Sequence, residues 1–376
     1  PSVIGSIPEI VPASRLSQAN GLFAMVTLAA TLAGMAAGNW LADSTVIPHA
    51  GENSAPQWLH ALPAGGALVG FAAAGWIAAL LLLRRPAADP AAPPPWNALS
   101  RSWSDLAEIG ADRRLLAATA GIVFFWGLGA VAQLNVDQLA TEAGASSQGQ
   151  VVPLLLALVS GIAVGSVVAG RISTSGVNLG LVPMGAMIMG FGSLALAWSP
   201  ETVFTEAGVD GWRLAVVIAG LATLGFGAGM FDVPLEAFFQ EQSPPARRAA
   251  LLSALNLLTF AGMFVASLLY GLVRSEIGGA SAGPLLSARG VFGWFFVVSM
   301  LAAFAAIWCA PRASLKMLFS VVINGLYRFR VRGIDLVPAA GPAVLVANHL
   351  SWLDGFLLPL ACPRHVRMVV YGPNIR

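Results

Sequence analysis

Eight apolar stretches, each about as long as a helix that crosses a lipid bilayer, dominate the chain. They run over 19–41, 60–83, 115–136, 151–170, 177–198, 213–231, 250–273 and 290–310. A hydrocarbon core about 30 Å thick needs roughly 20 apolar residues per helix. Inside it only helices or closed barrels satisfy their own backbone polar groups. The predicted fold is therefore an all-α polytopic membrane protein. Only 10% of the 376 residues are charged, against about 25% in ordinary soluble domains. That excludes a water-soluble globule and a disordered tail. A formal net charge of +2 is too small for electrostatic capture, so no nucleic-acid partner is expected. The two cysteines, Cys309 and Cys362, imply neither a disulfide framework nor a metal site. No metal and no cofactor is expected. The first residue is Pro1, and no secretory signal with a basic start is visible. The chain reads as cut from something longer.

The placement of the basic residues predicts orientation, because cytoplasmic loops collect Lys and Arg. One set of alternate loops carries eleven cations: Arg15, then Arg84, Arg85, Arg101, Arg113 and Arg114, then Arg171, Arg247, Arg248, Arg312 and Lys316. The other set carries three, Arg213, Arg274 and Arg289, beside acidic residues such as Asp43, Glu142 and Glu201. Both ends are thus expected in the cytoplasm, as an even number of spans requires. The longest loop, 84–114, is proline-rich and then polar over 100–112.

Few ionisable groups lie near membrane depth, and such groups mark transport or gating more often than chance. Asp137 follows Gln133 and Asn135 at the outer end of the third span. Asp232 and Glu236 sit one helical turn apart around Pro234, at the inner end of the sixth. Asn256 lies inside the seventh. Arg247 and Arg248 are placed to pair with Asp232, Glu236 or Glu241 as a cytoplasmic latch. The alternative role for this set is anchoring at the interface. Glycines at helical spacing, Gly34 with Gly38, Gly161 with Gly165, and Gly225, Gly227 and Gly229, predict close helix packing, with rocking between helices as a compatible reading.

After Pro311 the character changes. Residues 312–326 place Leu315, Leu318, Phe319, Val322 and Leu326 on one helical face, suited to the membrane surface. Residues 327–332 alternate at the strand period, and 343–347 read as a short buried strand. The last 60 residues or so are expected to begin a soluble α/β domain that stops too early to close its own core. Its chemistry lies in Asn348-His-Leu-Ser-Trp-Leu-Asp354. Moving an acyl group from a thioester to a glycerol hydroxyl needs a base at that hydroxyl. Neutral imidazole suits the task. A carboxylate on its other nitrogen fixes the tautomer and stabilises the imidazolium. His349 is the candidate base and Asp354 its orienter, about one turn apart at a strand-to-helix junction. Asn348 and Arg367 are candidate substrate contacts, with Arg364 also near enough in sequence to a phosphate site. By itself His-x4-Asp is common.

The setting of that motif raises its weight. Gly341-Pro-Ala-Val-Leu-Val-Ala-Asn348 leads in and Gly355 follows, a pattern that resembles the glycerolipid acyltransferase family. Leu326-Tyr-Arg-Phe-Arg-Val-Arg-Gly333 is similar to the acyltransferase start of bacterial 2-acylglycerophosphoethanolamine acyltransferases. The family's second block, a Phe-Pro-Glu-Gly type motif, is absent, so this chain alone is expected to be inactive as an acyltransferase. In the membrane half, Ile7-Pro-Glu-Ile-Val-Pro-Ala-Ser-Arg-Leu-Ser-Gln-Ala-Asn-Gly21 resembles the loop before the fifth helix of lysophospholipid transporters of the major facilitator superfamily. Gly165-Ser-Val-Val-Ala-Gly-Arg171 resembles that superfamily's loop between helices eight and nine. Phe231-Asp-Val-Pro-Leu-Glu236, Ser243-Pro-Pro-Ala-Arg-Arg248 and Asn256 are similar to the ten–eleven region of such transporters fused to an acyltransferase. The resemblance implies helices five to twelve over 1–311, with four more upstream, and the start of the acyltransferase domain over 312–376. It implies a bacterial cytoplasmic-membrane protein that flips lysophospholipid and reacylates it, using acyl carrier protein or acyl-CoA thioesters. A drug or solute exporter with an incidental tail, and an inert anchor for the enzyme, are the competing readings.

Overall fold

The computed structural model describes residues 7, 8, 10–44, 57–81, 97–173, 176–205, 208–275, 284–327, 329–333, 336–338, 340–348, 351, 353–362, 364 and 366–369. Among these the helices are α1 (Leu16–Ser44), α2 (Gln57–Leu80), α3 (Ala98–Ala111), α4 (Arg113–Glu142), α5 (Gln148–Ile172), α6 (Leu181–Ala197), α7 (Gly211–Gln242), α8 (Arg248–Arg274), α9 (Ala288–Cys309), α10 (Pro311–Leu326) and α11 (Asp354–Ala361). The eight predicted spans coincide with α1, α2 and α4 to α9. Among the described residues six helices are long and apolar enough to cross a membrane, and α6 is apolar but shorter. The polar stretch within the proline-rich loop turns out to be helical: α3 buries Ile109 against the bundle while Arg101 and Trp103 stay exposed.

Three helices begin where short polar side chains accept the free N–H groups of the first turn. Asp112 accepts from the backbone of Arg114 and Leu115 at the start of α4, Asp210 from Arg213 at α7, and Ser287 from Gly290 at α9. Glu142, at the far end of α4, accepts from the backbone N–H of Ala288 at 2.9 and 3.0 Å and pairs with Arg274 of α8 at 2.6 Å. Asn135 of α4 donates to the Ala288 carbonyl and accepts from the Tyr270 hydroxyl. These contacts tie α4, α8 and α9 together at one end of the bundle.

α7 runs through the centre, packed on α5, α6 and part of α4. Glycines set the spacing. A Cβ at Gly165 would lie 2.1 Å from the Phe226 carbonyl oxygen, and one at Gly225 would lie 2.1 Å from that of Leu158. Gly161 and Gly229 face α7 and α5 backbone in the same way, and Gly227 faces the Met189 nitrogen of α6 at 2.3 Å. Such close approach maximises dispersion contact where no hydrophobic drive exists between helices. The predicted Gly34 and Gly38 pair differs: neither has a described atom within 4 Å of an added Cβ. α2 likewise makes little contact, and its Leu68, Phe71 and Trp76 are exposed.

The sixth span was expected to end at Phe231. Instead α7 has 32 residues and continues to Gln242, about 48 Å at 1.5 Å per residue. Pro234 does not stop it; a bundle tolerates an internal proline where neighbouring helices shield the freed carbonyl. The two predicted strands of the C-terminal segment are also corrected. Among the described residues the only strand pair is β1 (Phe204–Thr205) with β2 (Gly208–Val209). Val344 and Val346, expected to be buried, are 90% and 93% exposed. Alternation predicts a strand only if a neighbour is present to take its hydrogen bonds. α10 keeps its expected apolar face open at Leu315, Leu318, Val322 and Leu326, while Phe319 packs against Phe356 of α11 with the rings tilted by 39° and their centroids 4.6 Å apart.

Candidate functional site

A cavity of about 330 Å³ lies among α1, α4, α5, α6, α7 and α8. Most of its wall is apolar, including Phe23, Phe125, Trp126, Leu158, Leu224 and Met263. Its polar lining is Asn20, Thr27, Thr31, Gln133, Ser166, Asp232 and Glu236. Because α7 continues past Phe231, the two carboxylates sit inside the helix and line the cavity rather than ending a span. Asp232 Oδ1 is buried and has no hydrogen-bond partner among the described residues. Among the described residues no Lys, Arg or His contributes to the lining.

Below Glu236 by one turn, Gln240 of α7 meets Asn20 of α1 in a reciprocal amide pair. Asn20 Nδ2 donates to Gln240 Oε1 at 3.1 Å, and Gln240 Nε2 donates to Asn20 Oδ1 at 2.9 Å. Both residues are buried. This pair joins the first helix to the central one beside the cavity. Sequence reasoning missed it. An amide inside an apolar run was the available signal for Asn20, but Gln240 fell outside the predicted span and its partner is 220 residues away.

The proposed latch is not formed. Arg247 pairs with Asp105 and Glu108 of α3 at 2.5 and 2.7 Å. Arg248 donates to the backbone carbonyls of Gln240 and Ser243 at 3.0 and 3.3 Å. Neither reaches Asp232, Glu236 or Glu241. The reason is geometric: α7 carries the carboxylates into the bundle, whereas both arginines lie at the start of α8 beside α3. The Arg247 guanidinium is pushed above the ordinary arginine value, first by its hydrogen bond to Glu108 and then, against partial burial, by that to Asp105. Arg247 therefore docks α3. Replacing it with Gln is expected to weaken that docking by about 1 kcal/mol, because its side chain is 43% exposed and water screens the pair. Amide exchange over 98–111 is expected to rise roughly fivefold; unchanged exchange rules the docking role out.

Asp137 is half-buried on α4 outside the cavity lining, and Asn256 is half-buried on α8, also away from it. In the C-terminal segment His349 lies outside the described residues. Asp354 opens α11, where its carboxylate accepts from the Ser351 N–H at 2.9 Å while Ser351 Oγ accepts from Leu353 N–H at 3.2 Å. Ser351 and Asp354 thus close a side-chain-to-backbone turn just before α11, which holds the carboxylate at the helix start. Asn348 and Arg367 are exposed. Arg364 donates to the carbonyls of Pro338 and Gly341 at 2.8 and 2.5 Å, so it braces the loop before the motif. Among the described residues no cluster of three or more His, Cys, Asp or Glu forms a metal site.

Residues 1–267 match the Major Facilitator Superfamily. The chain belongs to that superfamily. Residues 328–373 match the family described as Acyltransferase, so this superfamily member carries acyltransferase sequence after its helix bundle. The chain is 28% identical over 244 residues to the lysophospholipid transporter LplT of Serratia proteamaculans (strain 568), an alignment covering 64% of the chain and 54% of that relative. The chain therefore spans about half the length of the curated relative it matches. The superfamily match ends within α8, but the bundle continues through α9 to Cys309, and α10 follows from Pro311. Membership accounts for the multi-pass helical architecture and for a cavity at the centre of the bundle.

Proposed function

We propose that this superfamily member moves lysophospholipid across the bacterial cytoplasmic membrane and delivers it to the acyltransferase domain on the same polypeptide. The observation that carries the reading is the cavity, apolar over most of its wall with a small polar set from α1, α4, α5 and α7. That mix suits a molecule with one acyl chain and a polar head, and the similarity to a lysophospholipid transporter supports it. Residues 1–311 form the transporter part and 312–376 the beginning of the enzyme. The bias of basic residues puts both ends of the chain in the cytoplasm. The acyl donor there is an acyl carrier protein or acyl-CoA thioester. The fusion raises the local concentration of delivered substrate at the enzyme.

In the chemical step the glycerol hydroxyl attacks the thioester carbonyl. His349 accepts the hydroxyl proton, Asp354 stabilises the resulting imidazolium, and the thiol leaves with a proton returned to it. Asn348 and Arg367 flank the motif as substrate contacts. Asp137 and Asn256 remain candidates for gating, together with Asp232, Glu236, Arg247 and Arg248.

Labelled lysophospholipid in vesicles containing the reconstituted protein tests the transport reading. Protein-dependent movement of label between leaflets is the expected result. Movement of small solutes in its place would favour an exporter, and movement of neither would leave only an anchor for the enzyme.

A further inference from the structure

The turn from the last span into the acyltransferase sequence is short and tied at both sides. Ala310 alone separates α9 from α10. Its N–H donates to the Ala306 carbonyl of α9, and its own carbonyl accepts from the Ser314 N–H at 3.0 Å and the Ser314 hydroxyl at 2.8 Å. α10 then packs on the bundle. Before α6, the side-chain oxygen of Asn178 accepts from the Gly180 N–H at 3.1 Å, and its amide donates to the Met317 sulfur at 3.7 Å. Gly180 leaves no room for a side chain: an added Cβ would run into the Ala313 carbonyl and lie 2.5 Å from Met317 Cβ. Met317 packs on a small cluster made by Ala169 of α5, Leu181 of α6, and Met230 and Val233 of α7. Val233 also lines the cavity.

A second face of α10 holds α11. Lys316 and Phe319 are three residues apart and share that face. Lys316 Nζ donates to the Cys362 carbonyl at 3.1 Å, at the C-terminal end of α11, where the helix dipole favours a cation. Phe319 meets Phe356 in the first turn of α11. α11 is thus gripped at both ends, and Asp354 is its first residue.

We infer that α10 is a rigid joint. It docks the acyltransferase segment where α5 ends, α6 begins and α7 passes, and so holds Asp354 at a set position relative to the cavity. Fused domains move freely against each other by default. Here a one-residue link removes most of that freedom, and close packing at Gly180 and Met317 removes the rest. The joint goes beyond the transport reading and rests on it only for the cargo: a lipid leaving the bundle would meet an enzyme fixed at its end rather than one swinging on a tether.

The test is cross-linking in vesicles with a short bis-methanethiosulfonate linker, after Cys309→Ala and Cys362→Ala remove the native thiols. Asn178→Cys with Met317→Cys is expected to link in high yield. Asn178→Cys with Leu326→Cys is expected not to link, because Leu326 lies about 14 Å further along α10. Equal yields from the two pairs would mean a swinging tether and would overturn the inference. A second measurement uses Met317→Asp, which puts a charge into the apolar cluster. Amide exchange over 311–326 and 354–361 is expected to rise together by about tenfold, with 181–197 unchanged. A rise confined to 311–326 would show that α10 does not hold α11 and would also overturn it. The linking result decides the matter alone where Met317→Asp does not fold. In a protein that also carries the family's second motif block, the linked pair is expected to keep acyl transfer to directly supplied lysophospholipid within about twofold. A tenfold loss on linking, about 1.4 kcal/mol, would mean that the enzyme works only when undocked, against the inference. None of these readouts requires transport. Selective linking with no movement of lipid between leaflets would sink the transport reading and leave the joint standing; lipid movement with equal linking of both pairs would do the reverse.

Discussion

Replacing Gly165 with Ala is expected to lower the melting temperature of the purified protein by several degrees, and replacing it with Leu to prevent folding. The Cβ that Ala adds would fall 2.1 Å from the Phe226 carbonyl oxygen, 2.8 Å from its carbon and 3.0 Å from its Cα. All three are backbone atoms of a helix, so no side chain can rotate out of the way. α5 and α7 must separate or bend, and each loses contact along its length. Overpacking of this kind costs about 1–3 kcal/mol for a small addition, and the rigid neighbour places Gly165 at the upper end. Gly225→Ala meets the Leu158 carbonyl at the same distance from the other side and is expected to behave alike. Gly271→Ala on α8 is the control, because nothing lies within 4 Å of its added Cβ; it should stay within about 0.5 kcal/mol of the parent. Unfolding in detergent followed by tryptophan fluorescence reads all three. Equal melting of Gly165→Ala and Gly271→Ala would mean that the α5–α7 interface is looser than the glycine contacts require.

Replacing His349 with Ala is expected to reduce acyl transfer about 10²- to 10⁴-fold, the usual contribution of a positioned general base. The measurement is transfer from a thioester to a lysophospholipid, in a protein that also carries the family's second motif block. Transport of labelled lipid by the same variant is the internal control, since α1 to α9 are untouched. Asp354 needs a more careful substitution, because its carboxylate also accepts the Ser351 N–H in the turn before α11. Asp354→Ala would remove both that hydrogen bond and the charge. Asp354→Asn keeps an oxygen to accept the Ser351 N–H but cannot stabilise an imidazolium. It is expected to lose acyl transfer about 10²-fold or more while amide protection over 354–361 holds. Full turnover in either His349→Ala or Asp354→Asn would remove the base-and-orienter scheme.

The two halves of the chain were legible to different depths. Long apolar runs specify membrane helices almost by themselves, so all eight predicted spans have helical counterparts. The amphipathic α10 was readable because a helical face repeats locally. Strands were less so: the alternation at 327–332 and the apolar run at 343–347 are genuine patterns, but among the described residues nothing pairs with them. The His-x4-Asp spacing was visible, whereas the hydrogen bond from the Ser351 N–H to Asp354 depended on the local turn.

Charge placement shows the same division. Asp232 and Glu236 stood out in the sequence because ionisable residues at membrane depth are rare. Proximity in sequence suggested Arg247 and Arg248 as their partners. The helix carries the carboxylates inward and leaves those arginines at α3 and the α7–α8 turn.

The sequence by itself determined that this chain is a multi-spanning helical protein with acyltransferase-family sequence after its last span, because hydrophobic length and a short family motif are local properties. Only the tertiary structure decided that Asn20 meets Gln240, that Arg247 holds α3, and that two carboxylates face a cavity with no basic side chain among its described lining residues. Those facts depend on which helix faces lie together, and that is set by glycine-sized gaps and long-range packing rather than by any one segment.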